Sequence, residues 1–210
     1  MKLKSVLNKI AWVDLSSRSV KIEEPGEKIY ENYLGGYGMG AYYLYQRQSA
    51  KVDALGTKNT LGFTTGPLTG TQAITGNRMT VVGKSPKTHG WGDANCGGVF
   101  GPALKRAGLD AVFFTGVADK PVYALVHESN LTLYDATELW GKGCVETERW
   151  FKDKYGKKTH SAVIGQAGER ASHLACIIND KGRAAGRSGL GAVMGSKRLK
   201  GLVTIATGEV

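Results

Sequence analysis

Four polar side chains sit in stretches of almost bare backbone: Arg78 in TGNRMT, Asn95 in DANCGG, and Arg183 and Arg187 in KGRAAGRSG. The planar guanidinium group suits phosphate and other oxyanions, and glycine lets main-chain N–H groups close on the same anion. The densest stretch, NDKGRAAGRSGLGAVMG at residues 179–195, holds two arginines and five glycines. A helix starting inside it would add its positive end. A tight turn ahead of a packed helix has the same composition, so the rest of the chain must decide between the two.

Other chemistries find no footing. GKS occurs at residues 83–85, but position 78 is arginine where a nucleotide-binding P-loop needs its first glycine, and Pro86 stands where the helix should begin. GLGAVMG at 189–195 is a relaxed dinucleotide pattern, yet the preceding GRAAGRS is no buried strand. No GxSxG elbow or HExxH pair occurs, and the histidines at 89, 127, 160 and 173 are scattered. His89, in the glycine-rich SPKTHGWGDANCGG, has the best case for function; His173 is read as a structural residue of an alternating strand. Cys96, Cys144 and Cys176 form no CxxC spacing, which argues against an iron-sulfur or zinc site built within this chain and favours a reducing, cytoplasmic setting.

The elements that must carry these residues are mostly strands. KIAWVDLSSRSVKIEE reads as a hairpin turning at residues 16–19. EKIYENYLGGYGMGAYYLYQR has helical spacing on both sides of a glycine cluster at 35–40, which should leave two helices or a helix and a turn. NTLGFTTGPLTGTQAITGNRMTVVGKSP follows as strand, long Gly/Thr loop and strand. PVYALVHESNLTLYDA is a second hairpin, turning at 128–130, and CVETERWFKDKYG an amphipathic helix closed by Gly156. Residues 94–116 and 184–208 share one order: glycine cluster, short helix ending in basic residues, apolar strand. Each is preceded by an apolar segment read as a strand, RMTVVG and ASHLACII. That order suggests an internal duplication with pseudo-two-fold symmetry. No Pro- or Ser-rich linker interrupts the chain, so residues 1–210 are expected to form one α+β domain of β-sheets with short helices starting at glycine-rich turns.

The totals agree with a folded chain that meets phosphate. At 210 residues it can bury a proper core, and its thirty glycines are about twice the usual share of roughly 7 % without any repeat period. The formal charge of +10 suits a phosphorylated cofactor, a nucleic acid or an anionic membrane. No block of like charges or nucleic-acid-binding motif is present, and nothing approaches the ~20 apolar residues of a membrane span, so neither nucleic acid nor membrane is expected as a partner. The N-terminal MKLKSVLNKIAWVDL is broken by Asn8 and Lys9 before an apolar run reaches signal-peptide length.

With these segments in view, the sequence resembles the N-terminal domain of the aldehyde ferredoxin oxidoreductase family. The resemblance runs through VDLSSRSVKIE, YLGGYGMGAYYLY, GPLTGTQAITGNRMTVVGKSPKTHG, ANCGGVFGPALKRAGLDAVFFTGVADKPVY, LWGKGCVETE and NDKGRAAGRSGLGAVMGSKRLKG, in the family's order and over nearly the whole chain. It implies a base of two β-sheets related by approximate two-fold symmetry, carrying a tungsten or molybdenum bis-pterin. It also implies that Arg78, Asn95, Gly97, Arg183, Ala184, Gly186 and Arg187 line the pterin phosphates and nearby atoms, with the main-chain carbonyls of Asn95 and Ala184 helping to hold a magnesium ion that bridges the two pterins' phosphates. The activity implied is oxidation of aldehydes to carboxylic acids, with electrons passed to ferredoxin through an iron-sulfur cluster. That cluster and the substrate-facing residues belong to further domains of the family, so they are expected on a missing domain or a partner chain, and this chain alone is expected to be inactive. The alternative is a non-catalytic module for binding or assembling the pterin cofactor.

Overall fold

The computed structural model describes residues 5–210; Met1 to Lys4, part of the stretch weighed above as a signal peptide, lie outside the described residues. Among those described, twelve strands make two six-stranded sheets. The first holds β1 (Ile10–Asp14), β2 (Ser19–Glu23), β3 (Leu61–Thr65), β4 (Met79–Lys84), β5 (Trp91–Cys96) and β6 (Ala111–Thr115). The second holds β7 (Val122–His127), β8 (Asn130–Asp135), β9 (Thr159–Val163), β10 (Ile177–Asn179), β11 (Arg183–Ala185) and β12 (Leu199–Ile205). The helices are α1 (Glu27–Tyr33), α2 (Gly36–Arg47), α3 (Phe100–Arg106), α4 (Cys144–Tyr155), α5 (Gln166–Glu169) and α6 (Leu190–Ser196).

The duplication is complete at the level of topology. The first sheet is ordered β2-β1-β6-β3-β4-β5, and advancing every strand number by six gives the order of the second, β8-β7-β12-β9-β10-β11. In each sheet a hairpin strand runs parallel to the strand after the central helix, and the remaining neighbours are antiparallel. Around the central helices a shift of 90 positions carries Phe100 onto Leu190, Gly101 onto Gly191 and Leu109 onto Leu199 without a gap. The residues that end those helices, Gly108 (φ +104) and Arg198 (φ +54), are both left-handed. The sequence pointed to repetition over 94–116 and 184–208; the structure extends it to 10–116 and 122–205.

The sheets face each other with α3 and α6 between them. α3 touches β3 of its own sheet and β9 and β12 of the other, while α6 touches β12 and reaches across to β3, β4 and β5. Phe63, Phe114, Leu104, Leu190, Met194 and Leu202 are all buried in this shared core. Each contributes about 1.5–3 kcal/mol by leaving water. α1 and α2 cover the outer face of the first sheet, packing Tyr30, Met39 and Tyr43 on Phe113 and Val82, and α4 covers the second by packing Phe151 on Tyr123 and Val203. Strands covered on both faces, such as β3, β4 and β12, are almost uniformly buried, which is why they read as apolar runs without alternation.

Two local expectations are refined. The glycine cluster at 35–40 breaks the helix only at Leu34 and Gly35 (φ +119); Gly38 and Gly40 lie inside α2. A Cβ at Gly40 would lie 2.7 Å from Val82, so that glycine lets the helix sit down on the sheet. The segment ASHLACII is a strand only from Ile177 onward, because its first half serves α6. The Ala175 carbonyl accepts a hydrogen bond from Gly191 N (3.2 Å), and the chain turns at Ser172 to make this contact. His173 is therefore an exposed turn residue and not part of an alternating strand. No helix among the described residues is long and apolar enough to cross a membrane.

Candidate anion-binding site

β5 and β11 are corresponding edge strands of the two sheets, and they lie against each other. The contact is sealed where the chain leaves β11: Ser188 Oγ donates to the Asp93 carbonyl (3.0 Å) and accepts from Asp93 N (3.2 Å). Gly92 has no room for more, since a Cβ there would stand 3.0 Å from Ser188. The two glycine-rich stretches, nearly ninety positions apart in sequence, thus meet along one seam.

Six of the seven residues expected to line phosphate fall on this seam, and the seventh is next to it. Arg78, just before β4, is exposed and donates from Nη1 to Asn95 Oδ1 (2.8 Å) on β5. A Cβ at Gly97 would come within 3.9 Å of the Arg78 guanidinium, so the bare backbone lies beside that charge. Arg183 and Ala184 are exposed on β11, where Ala184 pairs with Ile178 much as Asn95 pairs with Thr80. Gly186 and the exposed Arg187 lead from β11 to Ser188; a Cβ at Gly186 would lie 3.2 Å from Cys176 Sγ. An edge strand leaves alternate carbonyls unpaired by its own sheet, which makes β5 and β11 a source of oxygen ligands.

His89 is not part of this assembly. It occupies the turn at the far end of the β4–β5 hairpin, five strand residues or roughly 17 Å from Asn95. The groove of about 830 Å³ that it lines with Tyr42, Tyr45 and Trp91 belongs to that end also.

Sequence reasoning missed the loop that leads into Arg183. Asp180 (φ +45), Lys181 (φ +62) and Gly182 (φ +120) follow one another in the left-handed region. The first two carry side chains there at a cost of about 1 kcal/mol each. Asp180 Oδ2 accepts from Val99 N in a short contact and from Phe100 N (3.1 Å), at the start of α3 in the other repeat. Its second oxygen lies 3.6 Å from His160 Nδ1 on β9, and Glu148 Oε2 on α4 accepts from Lys181 N (3.1 Å). Burial works against the Asp180 carboxylate, yet the His160 contact and the two amides hold its pKa below the ordinary aspartate value. Gly98 (φ +110) makes this possible: a Cβ would overlap Asp180 Oδ2, Asn179 Oδ1 and the Arg183 side chain. Only the Asn-Asp pair ahead of Lys-Gly, a turn signal, marked this loop in the sequence.

Chemically, the seam offers exposed cations, close backbone and edge-strand oxygens, but no nucleophile–base pair. Cys96 is buried and accepts from Asn179 Nδ2 (3.1 Å), and burial pushes its thiol pKa up. No cluster of three or more His, Cys, Asp or Glu suited to a metal ion occurs among the described residues.

Comparison with known proteins gives a consistent answer. The sequence profile of the aldehyde ferredoxin oxidoreductase N-terminal domain matches residues 10–206. The tungsten-containing aldehyde ferredoxin oxidoreductase of Thermococcus kodakarensis is 48 % identical over 90 % of this chain and 32 % of its own length. An aliphatic sulfonate oxidoreductase, WOR-like subunit, of Pyrococcus furiosus is 35 % identical over 96 % of the chain and 35 % of its own length. Among solved structures, the active-site complex BamBC of benzoyl coenzyme A reductase, bound to 1,5-dienoyl-CoA, superposes with a TM-score of 0.95 at 34 % identity. That match covers 98 % of this chain and 32 % of the other. The chain thus spans about a third of the length of these relatives.

Proposed function

The chain belongs to the aldehyde ferredoxin oxidoreductase family, and on that premise we propose that it is the base on which a tungsten- or molybdenum-bound bis-pterin sits in a cytoplasmic oxidoreductase. One observation carries the reading: equivalent edges of two duplicated sheets meet, and the arginine-glycine stretches of both lie on the same seam. A ligand with two like halves, each bearing phosphate, matches a receptor with two like halves.

The donor set fits such a group. Arg78, Arg183 and Arg187 would neutralise phosphate through charge-assisted hydrogen bonds, while Gly97 and Gly186 would let the main chain close on it. The carbonyls of Asn95 and Ala184 would serve magnesium, a hard cation that favours oxygen ligands. When bound, the metal-pterin would supply two-electron redox chemistry at a metal held by its own dithiolene sulfurs. This chain's residues bind it, orient it and set the local charge. Relatives named for an aldehyde, an aliphatic sulfonate and benzoyl coenzyme A all match this one stretch over 90 % or more of its length, which supports a common base with substrate choice made elsewhere. Further domains or a partner chain would carry the iron-sulfur cluster and the aldehyde pocket, and pass electrons to ferredoxin.

The test is to produce the chain with its iron-sulfur partner and measure tungsten, molybdenum and pterin in the purified complex. Replacing Arg78 and Arg183 together by Ala should lower pterin retention about a hundredfold, since two charge-assisted contacts are lost. Unchanged retention overturns the reading. The chain alone should not reduce a viologen dye with any aldehyde, and turnover without added protein would overturn the division of labour. Pterin bound in the absence of any oxidoreductase partner would favour an assembly module.

A further inference from the structure

We propose that Asp180 is a positioning residue for Arg183: it ties the loop between β10 and β11 to the start of α3 in the other repeat and so sets where the guanidinium meets an oxyanion. The inference rests on the oxyanion reading of the seam.

Arg78 and Arg183 are held differently. Arg78 is fixed directly, through its bond to Asn95. The hairpin turn of its own repeat is closed internally, with Ser85 Oγ accepting from Lys87 N and Thr88 N (both 3.2 Å). Arg183 has no side-chain hydrogen bond among the described residues, and it follows three successive left-handed residues. A segment in that conformation relaxes unless something holds it. The holders are the Asp180 carboxylate on the amides of Val99 and Phe100, His160 at its flank, and Glu148 beneath Lys181. The arrangement brings the Arg183 Cδ to 2.8 Å from the position a Gly98 Cβ would take, beside Gly97 and Arg78. The link therefore crosses between repeats beside a cation that has no side-chain hydrogen bond of its own among the described residues.

Protein labelled with ¹⁵N-arginine is titrated with inorganic pyrophosphate while the Nε–H signals of Arg78 and Arg183 are followed. In the unaltered chain both signals should shift with one affinity. In Asp180→Ala the Arg183 response should weaken about tenfold, the scale of one oriented charge-assisted contact, while Arg78 still responds. Asp180→Asn, whose amide oxygen still accepts from the α3 amides, should restore most of it. A purely structural role would weaken both arginines together and lower the melting temperature in step, so equal loss at both overturns the proposal. If Asp180→Ala does not fold, His160→Ala decides: a weaker Arg183 response supports the proposal and an unchanged one overturns it. If neither arginine responds in the unaltered chain, the oxyanion reading itself fails; if both respond there and Arg183 responds equally in a folded Asp180→Ala, only the positioning role fails.

Discussion

At the end of its central helix each repeat buries a pair of opposite charges, and the two repeats build that pair from different parts. In the first, Lys105 on α3 lies 3.7 Å from Asp110 at the head of β6, both about 1 % exposed. Asp110 also accepts from Leu7 N, Asn8 N and the Tyr30 hydroxyl, so the pair ties down the segment before β1. In the second, position 105 corresponds to Gly195 and position 110 to Lys200. Lys200 reaches Glu169 on α5 (2.5 Å) and the Lys142 carbonyl (2.8 Å). A Cβ at Gly195 would overlap the Gly168 carbonyl at 1.8 Å, so α5 occupies the space that Lys105 fills in the first repeat. The sheet plan is shared; the sign of the buried strand charge is reversed. Hydrophobic pattern and topology specify the common frame, while each polar site is settled by whichever segment happens to cross it.

Removing one charge from each pair measures whether the two pairs are equivalent. Asp110→Ala should cost about 3–5 kcal/mol, because Lys105 stays buried without its counter-charge and three donors lose their acceptor. Glu169→Ala should cost a similar amount if the pairs are equivalent. Urea unfolding of both variants measures this, and a loss at Glu169 below about 1 kcal/mol would show that the second pair is only a surface contact.

Gly195→Ala should cost about 2–3 kcal/mol by pushing α5 off α6, with hydrogen exchange quickened in residues 165–170. Protection there as in the unaltered chain would mean the helices do not need that approach. The smallest effect concerns Lys197, buried where the first repeat has Ala107. Burial lowers its amine to about 8, with the charge of Asp14 opposing, while Lys197 Nζ donates to the Gly116 carbonyl (3.2 Å). The unfolded chain then holds this proton to higher pH than the folded one, so stability should rise from about pH 8 toward the ordinary lysine value. Lys197→Met should abolish that rise and add about 1–2 kcal/mol at pH 7. An unchanged slope across that window would show that the amine is not what titrates.

Much of the frame was legible because apolar runs, hairpin turns and the order glycine, helix, strand are local signals. The turn of Glu128 and Ser129 and the helix closed by Gly156 stand where their residues indicate. Arg78, Asn95 and the Arg183 stretch were visible as polar side chains beside bare backbone, and Gly97, Ala184 and Gly186 only through resemblance to a family. The buried charges were not legible, since Asp110 meets Leu7 and Asn8 over a hundred positions away and nothing local separates it from a solvated aspartate. ASHLACII misled for a related reason: its alternation is genuine, but α6 takes the Ala175 carbonyl that a strand would have used. His89 drew notice by its glycine-rich setting, whereas His160, in an ordinary strand, is the one that flanks Asp180.

The placement of α3 and α6 between the sheets limits how the chain could be divided. Each helix is roofed partly by the opposite half, so a polypeptide ending near residue 116 would expose an oily flank and find cover only by embracing a twin. Joined in one chain, the two halves lend each other that cover, so neither sheet with its helix is a self-sufficient folding unit.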